Sequence, residues 1–484
     1  MTTQHPRLSR RSLLGAGGAA LLLSGCDAPW SRTGPQSSPG DPLEPATRQQ
    51  LLSRTPFYIA HRGSYDNWPE HTMEAYRKSV EGGALALEVS VNATSDGVLV
   101  CNHDRTTKRL GTAAVTIADV TAAELARISV DERPWLGPSA ALQPIPALRD
   151  VLDAYATSRV IFIEDKQGTN TVRLLDLMDS YASSRDHFVW KQWAASNQYR
   201  EAAGRGYSRW GYFTPEILDR LDELAPRFDI LGVPVSATDR QVKAFVATGK
   251  PVIAWEVHTR HERDRLQALG VVGMMCSNLP YVQPSAVTRS ADEFATGLRA
   301  PGDLPWTTGR GPSYQPEFDV LNSAVTVLKP GPQSYCMGSM APITADSYSL
   351  QWQLRWPGAL PQDVQHAGIA FGQPDDRPYR VRVPSAVPGY HVIVRAKGVV
   401  ELFYRPAGTV DGISLGAVPT RTIEAGQWIS MRVDVTPETI TVRREGLDTW
   451  TFTVEDSRYR GGYFSLTKNY ASGPPVQFRA VTVS

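Results

Sequence analysis

Eight short apolar runs, separated by stretches with helical periodicity, constrain the fold of this chain more tightly than any other feature. They are Phe57 to Ala60, Ala84 to Ser90, Arg159 to Glu164, His187 to Gln192, Ser208 to Phe213, Phe228 to Val233, Pro251 to Val257 and Val272 to Ser277. Strands alternating with helices in this way are the signature of βα units around a parallel sheet. Eight of them close a TIM-type (β/α)8 barrel. Helices are expected over Glu70–Glu81, Pro146–Ala156, Glu216–Leu224 and Arg240–Thr248, with Gly249 and Gly270 where helix C-caps belong.

One run breaks the alternation. Val98 to Asn102 follows the second strand after only a short turn, whereas a parallel crossover needs about a dozen residues or more. The connection must be a hairpin, which brings His103 back toward His61. Residues Arg105 to Gln143 then form an insertion able to cap a site.

In such barrels chemistry sits at the carboxyl ends of the strands. His61, Glu88, Ser90, Glu164, Lys166 and Glu256 all fall at or just past such ends. Two histidines, an arginine and carboxylates suit phosphodiester cleavage. They supply an acid, a base, a cation for the phosphoryl oxygens and ligands for a divalent metal.

The residues that carry the pattern are His61-Arg62-Gly63, Pro69-Glu70-His71-Thr72, Glu88-Val89-Ser90 and Asp96-Gly97 followed by His103-Asp104. With Ile163-Glu164-Asp165-Lys166 and Ala254-Trp255-Glu256-Val257, this series resembles the glycerophosphodiester phosphodiesterase family from Phe57 to Pro280. The resemblance implies His61 and His103 as the acid-base pair, and Arg62 and Lys166 as cations for the substrate phosphate. It implies Glu88 and Glu164 as ligands of Mg2+ or Ca2+, and Asp104 as the residue that fixes the His103 turn. Glu70 either orients His61 or joins the coordination shell.

One position departs from that pattern. Ser90 stands where the family has a metal-binding aspartate, which removes a negative charge from a site for a hard cation. Three outcomes follow: Glu256 completes the shell, the metal binds more weakly, or the metal is gone. Lys191, Trp193, Tyr212 and Trp255 are expected to form a cationic, aromatic mouth.

The N-terminus reads as an export signal over residues 1–26. Arg10-Arg11 lies in a twin-arginine pattern, and Leu13 to Leu23 is too short to span a bilayer comfortably. Leu23-Ser24-Gly25-Cys26 resembles a lipobox, so Cys26 is the expected lipidated residue, anchoring the protein at the outer face of a bacterial membrane; the alternative is a simple cleaved signal and an extracellular protein. Residues 27–54 follow as a tether. Cys101, Cys276 and Cys336 are expected as free thiols. A chain of 484 residues points to two domains, and a formal net charge of +1 offers no basic excess for a nucleic-acid partner.

The barrel is expected over 55–284 and a linker over 285–308. From 309 to 484 helical periodicity gives way to short alternating strands. The expected strands are Tyr348–Trp356, Ala367–Phe371, Tyr379–Val383, His391–Arg395, Val399–Tyr404, Trp428–Val435, Thr439–Arg443 and Phe478–Val483, an antiparallel β-sandwich. Arg460-Gly461-Gly462-Tyr463-Phe464 and the following strands resemble concanavalin-like jelly rolls of the laminin-G type. That resemblance implies either carbohydrate binding, for instance to cell-wall glycan, or a sandwich that stabilises the barrel. The chain as a whole is expected to be an exported phosphodiesterase acting on glycerol- or polyol-linked phosphodiesters. The alternatives are a catalytically impaired barrel that binds ligands at the cell surface, and a metal-independent lyase forming a cyclic phosphate.

Overall fold

The computed structural model describes residues 46–284, 289–304, 315–327, 333–446 and 450–484. The export signal, Cys26 and most of the expected tether lie outside the described residues. Among the described residues no helix is long and apolar enough to cross a membrane. Cys101, Cys276 and Cys336 are buried free thiols.

All eight expected runs are strands of one closed sheet. They are β1 (Phe57–Ala60), β2 (Ala86–Ala93), β4 (Val160–Asp165), β5 (Phe188–Trp193), β6 (Ser208–Tyr212), β7 (Ile230–Pro234), β8 (Val252–Val257) and β9 (Gly273–Cys276). The hairpin strand β3 (Leu99–Cys101) pairs antiparallel with β2. Spatial order is β1-β9-β8-β7-β6-β5-β4-β2-β3, and a β1–β2 pairing closes the barrel.

Alternation within each strand separates two cores, because successive side chains point to opposite faces. Phe57, Ile59, Ala86, Val160, Phe162, Val189, Trp210, Ile230, Ile253 and Met275 form the barrel interior. Leu87, Val89, Ile161, Ile163, Trp190, Leu231 and Ala254 face the surrounding helices. Three of the four expected helices form as Met73–Glu81, Leu148–Tyr155 and Asp239–Val246. The fourth splits into a 3-10 turn over Pro215–Arg220 and a short helix over Leu221–Leu224. The helices Thr171–Asp179 and Arg260–Ala268 are additional. The second is so polar on its outer face that its apolar stripe reduces to Leu266.

The C-terminal half is two seven-stranded sheets. One contains β10 (Asp303–Leu304), β13 (Gln333–Met337), β15 (His366–Gln373), β16 (Gly389–Arg395), β17 (Val399–Arg405), β18 (Ile413–Pro419) and β22 (Tyr463–Lys468). The other contains β11 (Glu317–Asp319), β12 (Ala324–Val327), β14 (Tyr348–Arg355), β19 (Ile429–Val435), β20 (Thr439–Glu445), β21 (Trp450–Glu455) and β23 (Val476–Val483). Alternating burial along β14 and β19 sends Leu350, Trp352, Leu354, Met431 and Val433 into a core shared with Ile369, Val392, Leu402 and Leu466. Part of the expected linker joins this half, since Asp303 and Leu304 pair with Met337 and Cys336.

Tyr379–Val383 is not the expected strand. Arg382 takes a positive φ of 57°, and Pro374, Pro378, Pro384 and Pro388 remove backbone donors on either side. The segment lies over β15 instead, with Tyr379 and Val381 packed on Ala370, which is why β15 is buried on both faces.

A sandwich loop meets the barrel at the start of Arg260–Ala268. Asp376 accepts the backbone N–H groups of Arg260 at 2.7 Å and His261 at 2.9 Å, and the Tyr281 hydroxyl at 2.7 Å.

Candidate active site

The site lies where the inward stripe of the barrel strands changes from apolar to ionisable. In β2 Ala86 is followed inward by Glu88 and Ser90, in β4 Phe162 by Glu164, in β5 Val189 by Lys191, and in β6 Trp210 by Tyr212. Past the end of β1 the next inward residue after Ile59 is His61. The last inward positions, at the carboxyl ends, therefore form one polar layer over a dry plug.

His61 opens a tight turn, His61–Gly63, in which Arg62, Gly63 and Ser64 have φ values of 52°, 79° and 66°. This reversal aims the Arg62 N–H at Glu88 Oε2, 2.9 Å away. His61 is 4% exposed, and its Nδ1 lies 3.0 Å from Ser277 Oγ. Its Nε2 faces Glu88 Oε2 and its Nδ1 faces Glu256 Oε2, each at 3.9 Å. Burial pushes the His61 pKa down to about 3, against the pull of Glu256 and Glu88.

The hairpin delivers His103 to the same cleft. Its Nδ1 lies 2.7 Å from Asp104 Oδ1, so Asp104 holds the imidazole itself rather than only the turn. Arg109 Nε donates in turn to Asp104 Oδ2 at 2.7 Å. Burial lowers the His103 pKa, and the Asp104 contact opposes it.

Glu70 belongs to the arginines. Arg109 donates to its two oxygens at 2.8 and 3.0 Å, and Arg62 NH1 to Oε2 at 3.2 Å. It fixes the Arg62 and Arg109 guanidiniums instead of orienting His61. Glu256 stands on the flank of His61 opposite Glu88, accepts a hydrogen bond from the Tyr65 hydroxyl, and lies 3.5 Å from His258 Nε2. Lys166 Nζ is 3.3 Å from Glu164 Oε1.

The two carboxylates expected to hold a metal hold a lysine. Lys191 Nζ is 3.0 Å from Glu88 Oε1 and contacts Glu164 Oε2 more closely still. The Ser90 hydroxyl donates to Glu88 Oε1 at 3.0 Å, and the Tyr212 hydroxyl to Glu164 Oε1 at 2.7 Å. A hard divalent cation asks for six or more oxygen ligands with room to approach. Here every oxygen of Glu88 and Glu164 already has a hydrogen-bonding partner, so the residues do not fit such an ion. Among the described residues no group of three or more His, Cys, Asp or Glu is placed to hold a metal.

Above this layer is a cleft of about 60 Å³ lined by His61, Arg62, His103, Lys166, Lys191, Trp210, Tyr212, Trp255 and Glu256. Arg62, His103 and Glu256 also line a larger outer cavity of about 560 Å³, bounded by Tyr65, Arg109, Leu110, Glu132 and Trp135. The insertion supplies most of that outer wall. Glu132, buried near Glu70, has its pKa pushed up to about 8 by burial and by that neighbour. Trp193 turns outward instead of joining the mouth, being 41% exposed, with its indole N–H on Thr214 Oγ1.

Three buried donors around the inner cleft make no hydrogen bond within the protein: Arg62 Nε, Trp210 Nε1 and Trp255 Nε1. An unsatisfied buried donor costs about 1–3 kcal/mol. Sequence reasoning missed Trp210, Arg109 and Tyr65. Trp210 could have been found by stepping two residues back from Tyr212.

Residues 61–231 match the model of the glycerophosphoryl diester phosphodiesterase family. A Mycobacterium tuberculosis protein named probable glycerophosphodiester phosphodiesterase 1 is 42% identical over 76 residues, 16% of this chain and 28% of that protein. A Caldanaerobacter subterraneus glycerophosphodiester phosphodiesterase is 33% identical over 111 residues, 23% of this chain and 45% of its own length. The chain thus spans less than half the length of each of these curated relatives. An Oleispira antarctica phosphodiesterase, solved with its product sn-glycerol-3-phosphate, aligns with a TM-score of 0.41 at 19% identity, covering 47% of this chain and 96% of that one. Over residues 61–231, the barrel of this chain is thus similar to the glycerophosphoryl diester phosphodiesterase family.

Proposed function

We propose that the barrel hydrolyses glycerol- or polyol-linked phosphodiesters, with His61 and His103 exchanging the protons. The observation that carries this reading is the convergence of both imidazoles and three cations, Arg62, Lys166 and Lys191, on one cleft. The inner cleft takes the phosphoryl group and the outer cavity one of its alcohol substituents. Arg62 and Lys166 neutralise the nonbridging oxygens.

His61, whose Nδ1 meets only the Ser277 hydroxyl at hydrogen-bonding distance, serves as the base; His103, whose imidazole Asp104 supports, serves as the acid. Water gives a proton to His61 as its oxygen bonds to phosphorus. The bond from phosphorus to the departing alcohol oxygen breaks, and His103 protonates that oxygen. The products are a phosphomonoester and an alcohol, and the two histidines recover their protonation states through solvent. An arriving phosphodiester anion raises both imidazole pKa values, which readies His103 to donate.

The test is turnover of a panel of glycerophosphodiesters by the protein, beside His61→Ala and His103→Ala. Release of a phosphomonoester, lost in both variants, supports the reading. A cyclic phosphate product would replace hydrolysis by the lyase reaction, and absence of turnover across the panel would refute the enzyme reading. We further propose twin-arginine export and lipidation at Cys26, supported by the N-terminal pattern and tested by fatty-acid labelling of the protein and of Cys26→Ala. Glycan binding by the sandwich is the corresponding proposal for the C-terminal half, tested by pull-down on cell-wall polysaccharide.

A further inference from the structure

We infer that Lys191 is the resident cation of this site, a covalently attached charge that replaces a divalent metal in the Glu88–Glu164 cradle. The inference rests on the phosphodiesterase reading for its role, and on geometry alone for its occupancy.

Lys191 is 5% exposed, and its Nζ lies between the two carboxylates, 5.1 Å from the ring centre of Tyr212. Its pKa is raised: burial works against the charge, and Glu164 and Glu88 outweigh it. Ser90 matches this arrangement. Its hydroxyl donates to Glu88 Oε1, the oxygen that also meets Lys191. A carboxylate at position 90 would instead press a third negative charge onto Glu88.

Charge balance at the rim points the same way. In the cradle itself Glu88 and Glu164 face Lys191 and Lys166, two anions against two cations. An ion placed there would meet the Lys191 ammonium at close range. Lys191 also lines the inner cleft beside His61 and Arg62, where its charge faces the phosphoryl group.

The experiment combines calorimetric titration of Ca2+, Mg2+ and Mn2+ into chelator-stripped protein with turnover in the presence of chelator. Three proteins are compared: wild type, Lys191→Met, and the double variant Ser90→Asp/Lys191→Ser. Wild type should show no saturable ion binding below about 10 mM, weaker than extracellular calcium sites, and should keep its turnover in chelator. Lys191→Met should lose turnover by about a hundredfold, the scale of removing one electrostatic contact to the transition state. The double variant should gain saturable binding of a divalent ion and a rise in thermal midpoint on adding it. Stoichiometric ion binding by wild type that disappears in Glu88→Gln would overturn the inference, as would turnover lost in chelator and restored by metal. If no phosphodiester is turned over, the function reading fails, while the titrations of wild type and double variant still decide what occupies the cradle. If Lys191→Met does not fold, those same two titrations carry the decision.

Discussion

Gly63 lies at the tightest point of the turn that positions His61 and Arg62, so a single methyl there should be felt both in stability and in catalysis. Its φ is +79°, and a Cβ would sit 2.6 Å from Ala75 Cβ on the helix Met73–Glu81. Left-handed backbone costs a non-glycine residue about 1–2 kcal/mol. Overpacking of a tight contact adds about 1–3 kcal/mol. Gly63→Ala should therefore destabilise by about 3 kcal/mol, or about 6–12 °C in thermal midpoint for a domain of this size. Part of that loss is removable. Ala75→Gly, which alone should cost about 1 kcal/mol, takes away the atom struck. The double variant keeps the φ strain but returns one methyl to the space that lost one, so the two changes should couple favourably by about 1–3 kcal/mol. Turnover of Gly63→Ala should fall at temperatures where it is folded, because the turn also aims the Arg62 N–H at Glu88. The assay is chemical denaturation of all four members of the cycle, with turnover measured alongside. A Gly63→Ala variant as stable as wild type, or two changes that simply add, would show that the turn is not held as argued.

The remaining predictions test the site and the buried histidines. Asp104→Asn should lower kcat/KM about a hundredfold and carry the alkaline limb of the pH profile, where His103 loses the proton it donates, to lower pH, since Asp104 is what supports the His103 pKa against burial. An unmoved limb would dissociate Asp104 from His103. His61, His71 and His391 each have a folded pKa of about 3 against 6.5 when unfolded. Their depressed values give stability that is complete above pH 6.5 and is lost as pH falls toward 3. His391→Gln should therefore flatten the slope of unfolding free energy against pH in that window by about 1.4 kcal/mol per unit, which denaturation at stepped pH would reveal. Asp376→Ala should destabilise by about 1–3 kcal/mol through the donors it leaves unpaired, and an unchanged thermal midpoint would refute that account.

The barrel was legible because each strand announces itself by a run of apolar residues buried on both faces. The site was legible in its members but not in its pairings. His61, Arg62, Glu88, His103 and Glu164 converge as their positions at strand ends suggest. No spacing rule reveals that the ammonium of Lys191, on β5, reaches both Glu88 on β2 and Glu164 on β4, since that depends on the diameter and register of a closed sheet. Arg109 was hidden for a different reason. It lies in the insertion, where no periodicity fixes which residue turns back to Glu70. In the sandwich, β18 escaped notice because Ile413–Pro419 lies at a sheet edge with little buried surface, so its pattern lacks alternation.

The capture of the first backbone N–H groups of Arg260–Ala268 by Asp376 bears on how such a chain can be taken apart or recombined. That helix follows directly on β8, the strand that carries Glu256. A barrel excised at the domain boundary would keep its Thr259 cap, yet lose the carboxylate that meets Arg260, His261 and Tyr281. The two halves are consequently not interchangeable cassettes. A foreign module fused in place of the sandwich would have to bring an equivalent acidic loop to the same spot, and any shuffling of these domains over generations would have had to preserve that one side chain or replace it.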